Sequence, residues 1–323
     1  MRAWRVEKLE GISALELQEL PDPPAPGAGE ATVAMSAVGL NYPDLLMLSG
    51  GYQFRPELPY TPGMEGVGRI TAVGEGVAAD LLGLRMLVGG RTGLLAEQLT
   101  LPLASLRPVP EALGDAEAAG FTTGALTAWV ALQVRGRLAQ GEHLLVLGAG
   151  GGMGLAAVSM GVALGARVTA VASTGAKREA ALAAGASQVV EMDREAPDFT
   201  ALKAQCDVVF DPVGGAAVVP ALKTLRWGGR YLVIGFVGGR PDPLPTNLAL
   251  LKGLEILGVR AGEAGRQDPA IGRAALAGID RLAAEGKLRP QVGLEVPFES
   301  AAEAFRRMED GTLLGKAVIR VRG

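Results

Sequence analysis

Apolar positions along the second half of the chain alternate between two spacings, and their order predicts how it folds. Between His143 and Gly175 the run HLLVL has the length of a strand, and GAGGGMG follows at once. LAAVSMGVALGA then repeats small and apolar residues at helical spacing, and RVTAVA is a second strand. This is a strand-helix-strand unit of about 30 residues. The alternation continues with AKREAALAAG as a helix ending in a glycine cap, SQVVEM and CDVVFD as strands, AAVVPALKTL as a helix, RYLVIG as a strand, TNLALLKG as a helix and LEILGV as a sixth strand. Six strands with intervening helices predict an α/β fold, a doubly wound parallel sheet. A helix over FTTGALTAWVALQ leads into it from about Ala119.

Residues 1 to about 118 carry a different pattern. Short runs such as ATVAMSAVGL, GVGRITAVG and LRMLVGG are separated by Gly, Pro and Asp clusters, and PDPPAPGAGE holds too much proline for a helix. A mostly-β unit with many turns fits. The tail, 260–323, predicts helices near 268–285 and 299–309 and a last strand in KAVIRV. Periodicity alone leaves that tail free to extend the sheet domain or to return to the first one.

A chain of 323 residues suits two domains, and 49% hydrophobic against 20% charged residues gives ample material for their cores. The net charge of −3, with both signs interspersed, gives no reason to expect nucleic-acid or membrane-surface binding. A single cysteine, Cys206, excludes internal disulfides and any multi-cysteine metal site. The start, MRAWRVEKLEG, has no apolar export segment, and no stretch of 18 consecutive apolar residues occurs, so a cytoplasmic protein is expected.

The candidate chemistry begins at the glycines. Without a Cβ, Gly148, Gly150, Gly151, Gly152 and Gly154 let the backbone turn sharply and approach a ligand, and the helix behind them points unpaired N–H groups at the loop. A pyrophosphate would sit there, so a dinucleotide is the expected ligand. The spacing GxGxxxG is one residue longer than the usual fingerprint, and a glycine-rich turn that only closes strand-helix packing would look the same. The strand, long helix and second strand in the required order favour the ligand. An acidic residue about 20 positions beyond the glycines normally binds the ribose hydroxyls of NAD. Here the second strand ends in Ser173 and Thr174, followed by Lys177 and Arg178. Hydroxyls and cations suit a 2′-phosphate, which favours NADPH, although a Lys-Arg pair can equally be the solvated face of a helix. One cysteine and one histidine, His143, cannot assemble a tetrahedral N/S zinc site.

Several ordered motifs carry a resemblance over almost the whole chain: VGLNYPDLLMLSGGY (38–52), LPYTPGMEGVGRITAVGEGV (58–77), AAGFTTGALTAWVAL (118–132), GAGGGMGLAAVSMGVALGARV (148–168) and GKAVIRV (315–321). The chain resembles the zinc-free quinone oxidoreductase branch of the medium-chain dehydrogenase/reductase superfamily. Zinc-containing relatives have a metal-binding cysteine at the position of Asn41 and a histidine at that of Met64. RTGLLAEQLTLP runs directly through the region of their structural zinc lobe. The resemblance implies a GroES-like catalytic domain over 1–118, a six-stranded Rossmann domain over 119–259, and a return to the catalytic domain over 260–323, with substrate in the cleft between them.

It further implies that Asn41, Asp44, Tyr52 and Thr127 line the nicotinamide and substrate pocket, with Asn41, Tyr52 and Thr127 as catalytic residues. Asn41 and Thr127 can hydrogen-bond a carboxamide or carbonyl; Tyr52 offers a flat ring, or simply anchors a loop, and Asp44 suits a structural role better. The implied cofactor-binding set is Asn41, Thr127, Gly150, Gly151, Gly152, Met153, Ser173, Thr174, Lys177, Arg178, Phe236 and Val237. One departure is Met192, where relatives that bind NADPH often carry a tyrosine. The edge strand LEILGV (254–259) pairs across a two-fold axis in that family, implying a homodimer or a dimer of dimers. The expected activity is zinc-independent reduction of a quinone by hydride from NADPH. Reduction of an α,β-unsaturated ketone, aldehyde or enoyl thioester is the alternative, and a non-catalytic NADPH-binding regulatory protein is an alternative of another class.

Overall fold

The structure, a computed structural model, describes residues 1–239 and 243–322. They form two units, Met1–Thr123 with Pro290–Gly323, and Gly124–Arg289.

In the second unit a parallel sheet of six strands runs in the spatial order Gln188–Glu191, Arg167–Ala172, His143–Val146, Cys206–Asp211, Leu225–Val233, Glu255–Gly258. Sequence order therefore reverses between His143–Val146 and Cys206–Asp211, which is the switch point at which doubly wound sheets bind ligands. Cys206–Asp211 is buried at every position, as a central strand covered on both faces must be. Helix Gly152–Ala163 packs closely on the sheet because Gly161 faces Leu144 and Val168, where an added Cβ would lie 2.6 Å from Leu144. The expected helix over FTTGALTAWVALQ is α-helical over Thr122–Trp129 and widens into a π-helix over Val130–Arg135.

Helix Pro269–Ala284 also belongs to this second unit, so the returning tail starts at Pro290 rather than at 260. Asp268 caps it by accepting from the Ala270 N–H at 2.9 Å, and Ala275, Ile279, Leu282 and Ala283 form its buried stripe. Its docking depends on Gly278, whose Cα leaves room for the Trp129 ring; a Cβ there would sit 2.3 Å from it.

At the amino end of the sheet lies the chain's only histidine. His143 Nδ1 stands 2.7 Å from an Arg167 guanidinium nitrogen, and Nε2 stands 2.8 Å from Thr169 Oγ1. The Gln205 carbonyl lies 3.1 Å from the same Nδ1. Burial, and then the charge of Arg167, push the imidazole pKa down.

The first unit is a seven-stranded sheet in the order Val292–Pro297, Lys316–Arg320, Glu30–Gly39, Glu65–Val73, Arg85–Gly89, Leu106–Pro108, with Gln98–Pro102 also paired to Glu30–Gly39. The last strand of the chain lies antiparallel to Glu30–Gly39, Val318 opposite Gly39, so both ends of the sequence build one core. Met35, Leu40, Met47, Leu48, Phe298, Phe305 and Ile319 fill it. Helix Ala301–Glu309 contributes Ala301, Ala304 and Phe305, spaced to share one face. Among the described residues no helix is long and apolar enough to cross a membrane.

Candidate functional site

In the first unit, Asn41 ends the run of Glu30–Gly39 in an extended conformation and caps helix Tyr42–Leu48, with Pro43 in the first turn. Its backbone N–H donates to Asp44 Oδ2 at 2.9 Å, and Asp44 Oδ1 accepts from the Gly63 N–H at 3.1 Å. Asp44 is fully buried, and burial pushes its pKa up to about 7 against those two donors. With its backbone fixed, Asn41 presents its side chain to a buried ion pair. Nδ2 donates to Glu65 Oε1 at 2.9 Å and to the Gly39 carbonyl at 3.4 Å, while Oδ1 accepts from Lys316 Nζ at 2.8 Å. Lys316 Nζ also donates to Glu65 Oε1 at 2.7 Å and to the Leu40 carbonyl at 2.8 Å, and Glu65 Oε2 accepts from the Thr123 N–H at 2.8 Å. Asn41, Glu65 and Lys316 are each at most 6% exposed. Both amide hydrogens of Asn41 are thus spent inside the cluster, and its remaining capacity is one Oδ1 lone pair.

Met64, half-buried against the core, and Asn41 put a thioether and an amide where zinc-containing relatives have ligands. Among the described residues no three His, Cys, Asp or Glu side chains stand where they could hold a metal ion. Tyr52 is half-buried on the same core. Thr127 lies in the second unit, on helix Thr122–Trp129, and is also half-buried.

His143 and Asp44 give the two units opposite pH dependences. The native pKa of His143 lies below its unfolded value of 6.5, so its contribution is complete above about 6.5 and is lost as pH falls toward the native value. That of Asp44, about 7, lies above its unfolded value of 3.8, so its contribution is present at low pH and is lost as pH rises through 7. Between about pH 7.5 and 5.5, His143→Gln should therefore gain more Tm on acidification than the wild type, and Asp44→Asn less. Calorimetric melts of the three proteins check this; parallel pH slopes would refute it.

In the second unit the glycine loop has three distinct demands. Gly148 has φ +61°, which only glycine adopts without strain. Gly154 faces the backbone of the loop itself, where a Cβ would lie 2.2 Å from the Gly148 carbonyl oxygen. Gly150 lies under the aliphatic stem of Lys177, with a virtual Cβ 2.4 Å from Lys177 Cβ and Cγ. Gly151, by contrast, has only the Gly148 oxygen near its virtual Cβ, at 3.8 Å, and caps helix Gly152–Ala163 without a side chain of its own. No acidic residue occupies that helix's first turn, where Gly152 and Met153 stand. The result is an open cradle at a positive helix end, which fits a pyrophosphate.

Ser173 and Thr174 follow strand Arg167–Ala172, and Thr174 Oγ1 caps helix Gly175–Ala183 by accepting from the Lys177 N–H at 3.3 Å. The fold thus brings Lys177 to both the glycine loop and the two hydroxyl residues. Arg178 instead pairs with Glu191 at 3.2 Å. Beyond the switch point, Asp211 Oδ1 accepts from the N–H groups of Val213 and Gly214 at 2.7 and 2.9 Å, and its other oxygen accepts from the Tyr231 hydroxyl. Burial raises the Asp211 pKa. The loop so held is laced to the next one, Val237 N–H to the Pro212 carbonyl and Gly238 N–H to the Val213 carbonyl, leaving Phe236 and Val237 about half exposed at 47% and 52%. Glu65, Lys316 and Asp211 were not candidates in the sequence. Lys316 stands in the quoted motif GKAVIRV, but nothing local shows that its partner is 251 residues away.

Residues 27–111 match the alcohol dehydrogenase GroES-like domain family, and residues 152–275 the zinc-binding dehydrogenase family. Quinone oxidoreductase-like protein 2 of Bos taurus is 32% identical over 91% of this chain and 85% of its own length. The human synaptic vesicle membrane protein VAT-1 homolog is 29% identical over 96% of this chain and 84% of its own length. Among solved structures, the quinone oxidoreductase of Thermus thermophilus, described also as its complex with NADPH, is 36% identical, with a TM-score of 0.86 over 99% of this chain and 100% of that one. The two-unit architecture, the parallel sheet with its glycine cradle and these likenesses agree: the chain belongs to the zinc-free quinone oxidoreductase branch of the medium-chain dehydrogenase/reductase superfamily.

Proposed function

We propose that the protein is an NADPH-dependent, zinc-independent reductase of quinones. The observation that carries the cofactor choice is Lys177, whose stem crosses Gly150 while its own N–H is capped by Thr174, so that an ammonium-bearing side chain and two hydroxyl residues share the end of strand Arg167–Ala172. A carboxylate there would repel a 2′-phosphate, whereas these groups pair with it. The quinone reading is supported by the Bos taurus and Thermus thermophilus relatives and by the resemblance of the motifs. The same chemistry would serve a conjugated ketone, aldehyde or enoyl thioester, whose acceptor carbon is equivalent.

When bound, the nicotinamide supplies the hydride. The chain's contribution is positioning. The glycine cradle and the helix end behind it take the pyrophosphate. The Asn41 Oδ1 lone pair suits the N–H of a carboxamide rather than a substrate carbonyl, because both of its own N–H groups are occupied. The Thr127 hydroxyl can donate to a carbonyl, and the Tyr52 ring offers a flat face. Asp211 and Tyr231 hold the loop that carries Phe236 and Val237 in place.

Spectrophotometric NADPH consumption against a benzoquinone, an enone and an enoyl thioester tests the substrate class; absence of turnover with all three would leave the non-catalytic, NADPH-binding alternative. A charged hydrogen bond to phosphate is worth roughly 1.5–3 kcal/mol, so Lys177→Ala should weaken NADPH by at least about 10-fold and leave NADH nearly unchanged. Calorimetric affinities for both cofactors decide it, and equal losses would remove the phosphate assignment.

A further inference from the structure

We infer that Arg194 is a second cation of the 2′-phosphate site, acting beside Lys177 and setting the preference for the phosphorylated dinucleotide; this rests on the cofactor reading above. The placement follows from the sheet. Strand Gln188–Glu191 is paired in parallel with Arg167–Ala172, Glu191 opposite Ala172, and the Met192 N–H continues the ladder to the Ala172 carbonyl at 3.2 Å. The chain then leaves the sheet edge at the same level as Ser173 and Thr174. Asp193 turns it there, its Oδ1 accepting from the N–H groups of Glu195 and Ala196 at 2.8 and 3.2 Å, which sets Arg194 at the crown of an exposed turn.

Neither Asp193 nor Glu191 is committed to Arg194. Asp193 is held by that turn, and Glu191 is paired with Arg178. Arg178 therefore has a part as well, in neutralising Glu191 at the strand end. Lys177 and Arg194 are near enough to feel each other: burial, and after it the charge of Arg194, lower the Lys177 pKa. Two like charges brought together on adjacent elements repel, and a doubly charged phosphate placed between them would remove the repulsion while accepting hydrogen bonds from both.

The test measures dissociation constants of NADPH, NADH and 2′,5′-ADP for the wild type, Arg194→Gln and Lys177→Ala by titration calorimetry. Arg194→Gln should weaken NADPH and 2′,5′-ADP by about 10-fold, hold NADH within about two-fold, and flatten the dependence of NADPH affinity on ionic strength. If Lys177→Ala erases the NADPH preference and Arg194→Gln leaves it intact, the role of Arg194 is refuted and the cofactor reading stands. If the wild type binds NADPH no better than NADH, the cofactor reading fails and this inference fails with it.

Discussion

Lys316→Met is expected to destabilise the first unit by about 3–5 kcal/mol, the usual consequence of removing one partner from a buried ion pair. Three donors leave the cluster at once: the contacts to Glu65 Oε1, Asn41 Oδ1 and the Leu40 carbonyl. Glu65, 2% exposed, would be left with only the Asn41 amide and the Thr123 N–H as partners. For a unit of this size the melting temperature should fall by about 10 °C. Neutralising the other partner as well should recover part of the loss, because Glu65→Gln in the Lys316→Met background leaves no bare charge in the core. A double-mutant cycle of thermal melts measures the coupling. Additive losses, or a Tm within about 2 °C of wild type for the single variant, would show that solvent already reaches the pair.

Gly154→Ala should lower kcat/KM by about 100-fold, since a misplacement of about 1 Å in a positioning element has effects of that order. The added Cβ would stand 2.2 Å from the Gly148 carbonyl oxygen and 2.7 Å from Ala149 Cα, both backbone atoms that move only if the loop moves. Gly151→Ala is the informative companion. Its Cβ meets nothing closer than 3.8 Å within the protein and its φ of −90° is ordinary, so the fold should tolerate it. If the cradle holds a pyrophosphate, Gly151→Ala should weaken the cofactor without lowering Tm, whereas Gly154→Ala should affect both. Normal NADPH affinity in both variants would place the cofactor elsewhere.

The parts of the fold that were legible in the sequence are those written in local pattern. Each strand of the parallel sheet is a short apolar run, most of them separated by helices of different period, and the structure has all six. Where a decision depended on distant contacts, local pattern failed. Helix Pro269–Ala284 shows a clear apolar stripe, but the stripe does not name the surface that it covers; the pairing of Gly278 with Trp129 does. The widening to a π-helix at Val130–Arg135 left no sign in the apolar spacing of FTTGALTAWVALQ. At the site, the glycines and Lys177 stood out because loop geometry and charge are visible residue by residue. Asn41 was visible as a residue and not as a valence, since Glu65, which takes one of its amide hydrogens, and Lys316, which donates to its Oδ1, come from other strands of the sheet.

That the first unit's sheet is completed by Lys316–Arg320 has a consequence for biosynthesis. A ribosome delivers Glu30–Gly39 and Glu65 long before Lys316, at roughly 5–20 residues per second, so Glu65 waits for its counterion for tens of seconds. During that interval the second unit, contiguous from Gly124 to Arg289, emerges whole and can fold, while the first 123 residues carry an unfinished edge at Glu30–Gly39. Nascent chains arrested before residue 316 should therefore be protease-resistant in the dinucleotide unit alone, with the amino-terminal part held as a client for chaperones until release.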